Sequence, residues 1–144
     1  MLLAPPASLT RLRTGLEHAI DASFSMEAPL HALVPGPVSG ANGDNLRQLL
    51  LGAAKAYDGV ATLVGAGRQL QEAGALPARA LADLMRFEAI ERNWVAVRAY
   101  LAGVRDAGVV PGRAADMMWS SLPELVAVTQ STARHMRQAL GPTG

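Results

Sequence analysis

Proton transfer near neutral pH falls naturally to histidine, and this chain has three: His18, His31 and His135. His18 closes the run Arg13-Thr-Gly-Leu-Glu-His18, an Arg-x4-His gap in which an imidazole can act as base and a guanidinium can hold a phosphate. Metal chemistry finds less to work with. A di-metal site in a helical bundle needs Glu-x-x-His on two helices, yet Glu88 and Glu91 are followed three residues on by Glu91 and Trp94. No histidine has a second histidine or a carboxylate at a ligand spacing that would form a site by itself. Cysteine is absent, which removes disulfides, Cys-ligated zinc, iron–sulfur clusters and thiol catalysis. The expectation is a chain with no metal and no cofactor, and with no assembled acid, base and nucleophile.

Other residues suit binding better than catalysis. Met117, Met118 and Trp119, together with Val110, form the densest cluster of large soft side chains. Exposed, they make an adaptable patch for a protein partner; buried, they plug one end of a bundle. Arg134, His135 and Arg137 sit near the end of the last helix and are the candidate contacts for an anion or a lipid headgroup, although the helix dipole accounts for positive charge there without a ligand. Glu91 and Arg98 flank Trp94, at either a polar pocket or the boundary of a core.

The elements that position these residues follow from periodicity. Glu72-Ala-Gly-Ala-Leu-Pro77-Ala-Arg79-Ala and Asp106-Ala-Gly-Val-Val-Pro111-Gly-Arg113-Ala are nearly the same turn, repeated about 34 residues apart. Gly74 and Gly108 suit the left-handed position past a helix end, and the prolines suit the next first turn. Helices are predicted over about 8–28, 44–73, 77–107 and 112–140, with one long irregular stretch at 34–43, read as a connector. In the first, Leu9, Leu12, Leu16, Ala19 or Ile20, and Phe24 form the apolar stripe, Glu17 faces Arg13, and the helix fails near Pro29 or runs one more turn through Leu33. Asp44 caps the second, where Leu46, Leu49, Ala53, Ala56, Val60, Leu63, Gly67 and Leu70 alternate at three and four and the glycines invite another backbone close. Ala80, Leu84, Phe87, Ile90, Trp94, Val97, Leu101 and Val104 form the third stripe, with Glu88 and Arg92 paired outside. Ser121-Leu-Pro-Glu124 reads as a capping box, which predicts a kink or restart near Pro123. From there Leu122, Leu125, Val128 or Thr129, Thr132, Met136 and Leu140 turn inward. The fold class expected is all-α, an antiparallel up-down four-helix bundle in a single domain, 1–144.

Composition bounds the function. At 144 residues, half hydrophobic but 4% aromatic, the chain can bury a core of Leu, Val and Ala without staples. Basic and acidic residues number 13 and 12, and only Lys55 among the basic ones is not arginine; with no clustered run, nucleic acid is not an expected partner. The N-terminus carries no secretory pattern and no apolar run approaches a membrane span, so a cytoplasmic location is expected, or export by a route that leaves no cleavable signal. The Arg13-x4-His18 gap resembles the pair found in ribonuclease-type helical bundles of the HEPN kind. That resemblance implies a small ribonuclease or hydrolase using Arg13 and His18; it covers those two residues alone, and here they stand on the first helix where such domains place the motif late. The residues themselves favour a non-enzymatic interaction module, an adaptor, export chaperone or assembly component of bacterial or phage type, holding a protein partner or forming a homo-oligomer through helix faces. A targeting domain of an exported effector, lying on a membrane surface through Arg134 and Arg137, is the third expectation.

Overall fold

The computed structural model describes residues 7–112 and 117–141, and of Met117 and Met118 the backbone alone. Among the described residues there are four helices: α1 (Ala7–Ala32), α2 (Gly40–Glu72), α3 (Ala78–Ala107) and α4 (Met117–Leu140). Between α1 and α2 lies the two-residue strand β1 (Gly36–Pro37), and between α3 and α4 the strand β2 (Val109–Val110). The fold is all-α in class. In each neighbouring pair, rising numbers on one helix meet falling numbers on the other. Trp94 and Asp83 of α3 reach Thr129 and His135 of α4, and Glu17 and Glu27 of α1 reach Arg137 and Gln130 of α4.

The core is aliphatic, with Phe87, Trp94 and Trp119 as its large members. On α2 the three-four stripe from Leu46 to Leu70 is buried, as is the α3 stripe from Ala80 to Val104. The α1–α2 seam is unusually close because glycine permits it. A Cβ added to Gly15 would lie 2.7 Å from the Gly59 carbonyl oxygen, and one added to Gly59 would lie 2.8 Å from the Ala19 amide nitrogen. The second backbone that Gly59 admits is therefore α1 of the same chain, whereas Gly52 and Gly67 make room for the Met26 and Leu84 side chains. Across α3 and α4, the Trp94 indole N–H donates to Thr129 Oγ1 at 3.0 Å, and that hydroxyl donates to the Leu125 carbonyl at 2.7 Å. A buried indole and hydroxyl are thus both satisfied.

Several local expectations are corrected. The α1 stripe runs through Ser23 and Met26, leaving Phe24 exposed with the Arg134 guanidinium 5.1 Å from its ring centroid. Ser23 tolerates burial by donating to the Ala19 carbonyl at 2.7 Å. At the end of α1 it is the extra turn that forms, through Pro29 to Ala32, because the proline costs one donor and the turn closes from Leu33 N–H to the Pro29 carbonyl at 3.1 Å. Helix α2 starts at Gly40, and Asp44 pairs with Arg47 inside it instead of capping it. The Asn42 amide makes that early start possible by bonding the Val34 N–H and the Val34 and Pro37 carbonyls. Helix α4 is assigned as one unbroken helix from Met117 through Pro123, with no restart. Arg113, expected at its start, lies outside the described residues.

The irregular stretch is short and tied down. β1 pairs antiparallel with β2, Gly36 opposite Val110 and Pro37 opposite Val109, and Val38 N–H donates to the Gly108 carbonyl at 2.9 Å. This ribbon joins the α1–α2 and α3–α4 connections across one end of the helices. Among the described residues one helix, α2, is long and apolar enough by length and composition to cross a membrane; half of its apolar window is buried inside the fold.

Candidate binding groove

The end of α2 packs against the start of α3, and farther on the two helices line a trough. Near their connecting turn Gly67 lies so close to α3 that an added Cβ would sit 2.6 Å from Leu84 Cδ1. Arg68 of α2 there donates to Glu88 of α3 at 2.7 Å, which raises the Arg68 pKa through that hydrogen bond and the attraction of the Glu88 charge. Glu88 therefore answers α2 and not Arg92 of its own helix. Farther towards the ribbon, Ala54 of α2 and Ala99 and Ala102 of α3 are among the residues that line the gap. It is an open trough of about 1070 Å³, closed at one end by Val38, Ser39 and Gly40.

Its walls are apolar and its rim is cationic. Leu46, Leu50 and Leu51 of α2 and Val95 of α3 line it, and Leu51 and Val95 keep 57% and 51% of their surface exposed. Tyr57 stands at the inner end with the Arg98 guanidinium 5.0 Å from its ring centroid. Arg47 and Arg105 also line the trough. Each pairs with a neighbour on its own helix, Arg47 with Asp44 at 3.3 Å and Arg105 with Asp106 at 3.1 Å, in the exposed geometry that contributes about 0–1 kcal/mol. A smaller hollow of about 490 Å³ lies between α3 and α4, lined by Asn93, Ala96, Ser121 and Glu124 among others, with no arginine or lysine among its lining residues.

The residues singled out in the sequence fall elsewhere. Arg13 and His18 do not converge: five positions on a helix turn the side chains roughly 140° apart. Arg13 donates to the Leu140 and Gly141 carbonyls, capping α4 at 3.4 and 3.3 Å, while His18 is exposed beside Gly59 of α2. Of the soft cluster, Trp119 and Val110 take the buried alternative. Each is about 1% exposed, Trp119 stacking at a tilt with Tyr100 at 6.3 Å between centroids, so they fill the core at the ribbon end. The side chains of Met117 and Met118 lie outside the described residues.

The cationic trio near the end of α4 is already engaged. Arg137 donates to Glu17 at 3.0 Å, Arg134 covers Phe24, and His135 Nδ1 stands 2.7 Å from Asp83 Oδ2. Asp83 is the surprise, a carboxylate with 1% of its side chain exposed, its Oδ1 without a hydrogen bond and 3.9 Å from Arg86. The sequence did carry the signal, since Asp83 falls on the Ala80, Leu84 and Phe87 stripe and so had to be buried. An Asp–His pair can orient a base, but neither hollow reaches this one. Among the described residues no three of His, Asp and Glu gather into a metal-holding group.

Compared with protein families, curated proteins and solved structures, the chain matches none.

Proposed function

We propose that this protein is a non-enzymatic interaction module, an adaptor, export chaperone or assembly component, that holds a protein partner in the trough between α2 and α3. The observation that carries this reading is the pair of uncovered apolar walls. Leu51 and Val95 each leave about half their surface to water, and covering them would contribute about 1 kcal/mol apiece. The separation of Arg13 from His18 speaks against the ribonuclease alternative. A photo-crosslinking residue at position 51, with position 138 on the exposed side of α4 as reference, tests the proposal in extracts of the protein's own cell. A discrete protein adduct from position 51 alone is the expected result. Adducts from neither position, or the same adducts from both, would overturn it.

A further inference from the structure

Shape and charge together narrow what the trough accepts. Its α2 wall runs from Gly43 to Tyr57, roughly 21 Å, and its α3 wall from Val95 to Arg105, roughly 15 Å at 1.5 Å per residue. Two helix stripes of that length with no helix between them match about three turns of a third. The open top suits such a helix, which keeps its outer face in water, better than a small molecule, which a site normally encloses.

The rim supplies the second constraint. Arg47, Arg98 and Arg105 stand against one lining carboxylate, Asp44. Arg98 makes no ion pair among the described residues and rests on Tyr57, so its charge is available. Arg98 and Arg105 lie two turns apart on one wall, roughly 10 Å along the axis. A second copy of this chain seated here would bring its own arginines against these, an arrangement disfavoured by like charge.

We propose that the occupant is an amphipathic helix of a partner protein, its leucine-type stripe against Leu51 and Val95, and acidic residues two turns apart meeting Arg98 and Arg105. This rests on reading the trough as a protein-binding site.

The test uses a fluorescent synthetic helix of about 14 residues with a leucine stripe flanked by glutamates, and its twin with lysine for every glutamate, read by anisotropy in low salt. The expected result is at least tenfold tighter binding of the acidic helix, a gap that shrinks in high salt as exposed charges are screened. Arg98→Glu reverses the preference, and Leu51→Gln, with helix content unchanged by circular dichroism, weakens both peptides. Equal affinities, an unchanged preference in Arg98→Glu, or acidic-helix binding that Leu51→Gln leaves intact would each overturn the inference. So would a dimer by light scattering that Leu51→Gln converts to monomer, because the trough would then hold a second copy. If neither peptide binds while position 51 still crosslinks to a protein, the acidic helix is wrong and the protein-binding reading stands. Absence of any adduct from position 51 removes the reading beneath it.

Discussion

The two long faces of α2 are built on opposite plans. Towards α1, Gly59 and the facing Gly15 remove every atom that would keep two backbones apart, and carbonyl and amide groups come within contact of where a Cβ would stand. Towards α3, the same helix presents Leu50, Leu51 and Tyr57, which stay partly uncovered. The first face spends its sequence on closeness, and closeness holds the fold. The second leaves large apolar side chains partly in water, Leu51 most of all, surface that an occupant of the proposed kind would cover. Helix α3 repeats the division, closed against α4 by the Trp94–Thr129 and Asp83–His135 contacts and open towards α2.

The largest expected effect breaks the closed face. In Gly59→Ala the new methyl would meet the Ala19 amide nitrogen and the Gly15 carbonyl oxygen, backbone atoms that cannot swing away. A loss of about 3 kcal/mol is expected, at the upper end of ordinary overpacking, read from the urea midpoint. Gly65→Ala on the same helix is the control: an added Cβ there meets nothing within 4 Å, and helix propensity alone should raise stability by up to ~1 kcal/mol. If both substitutions stabilise, the close α1–α2 approach is absent in solution.

A smaller effect tests the closed side of α3. His135→Ala removes the hydrogen-bonding partner of the buried Asp83 carboxylate, which should cost about 1–3 kcal/mol in thermal or urea unfolding. Adding Asp83→Leu to that variant takes away the stranded carboxylate, and most of the loss should return. A double variant no more stable than the single one would mean that Asp83 is not what holds α3 there.

The difference between the two faces also explains how much could be read in advance. Stripes at three and four are set by helix geometry, so every predicted core position on α2 and α3 is buried, and Gly74 and Gly108 take the left-handed φ of +68 and +74 that their repeated turn implied. The turns nevertheless diverge. Val109-Val110 is β-branched and pairs with Gly36-Pro37, whereas Ala75-Leu76 passes directly to α3, a choice made by a strand far away in sequence. The Arg13, Glu17 and Glu88 pairings were misjudged for the same kind of reason: Leu140, Arg137 and Arg68 reach them from other helices. The trough left one trace in the sequence, the run Leu49-Leu50-Leu51, since three consecutive leucines cannot share one stripe. Its depth depends on how far α2 and α3 separate, which no single helix encodes.

The smallest expected effect is the one that decides whether the open face is open. Leu51→Gln removes an apolar side chain but keeps a good helix former, so with 57% of Leu51 exposed its stability change should stay within about 0.5 kcal/mol. The same leucine buried against a closed α3 would cost several times more on losing its apolar contacts. Unfolding of Leu51→Gln alongside Leu63→Gln, whose leucine is fully buried, measures both cases in one protein. A near-neutral change at 51 and a severe one at 63 would leave Leu51 free to serve a partner. Comparable losses at both would mean that α3 closes over α2 in solution, and the contrast between the two faces of α2 would disappear with the groove.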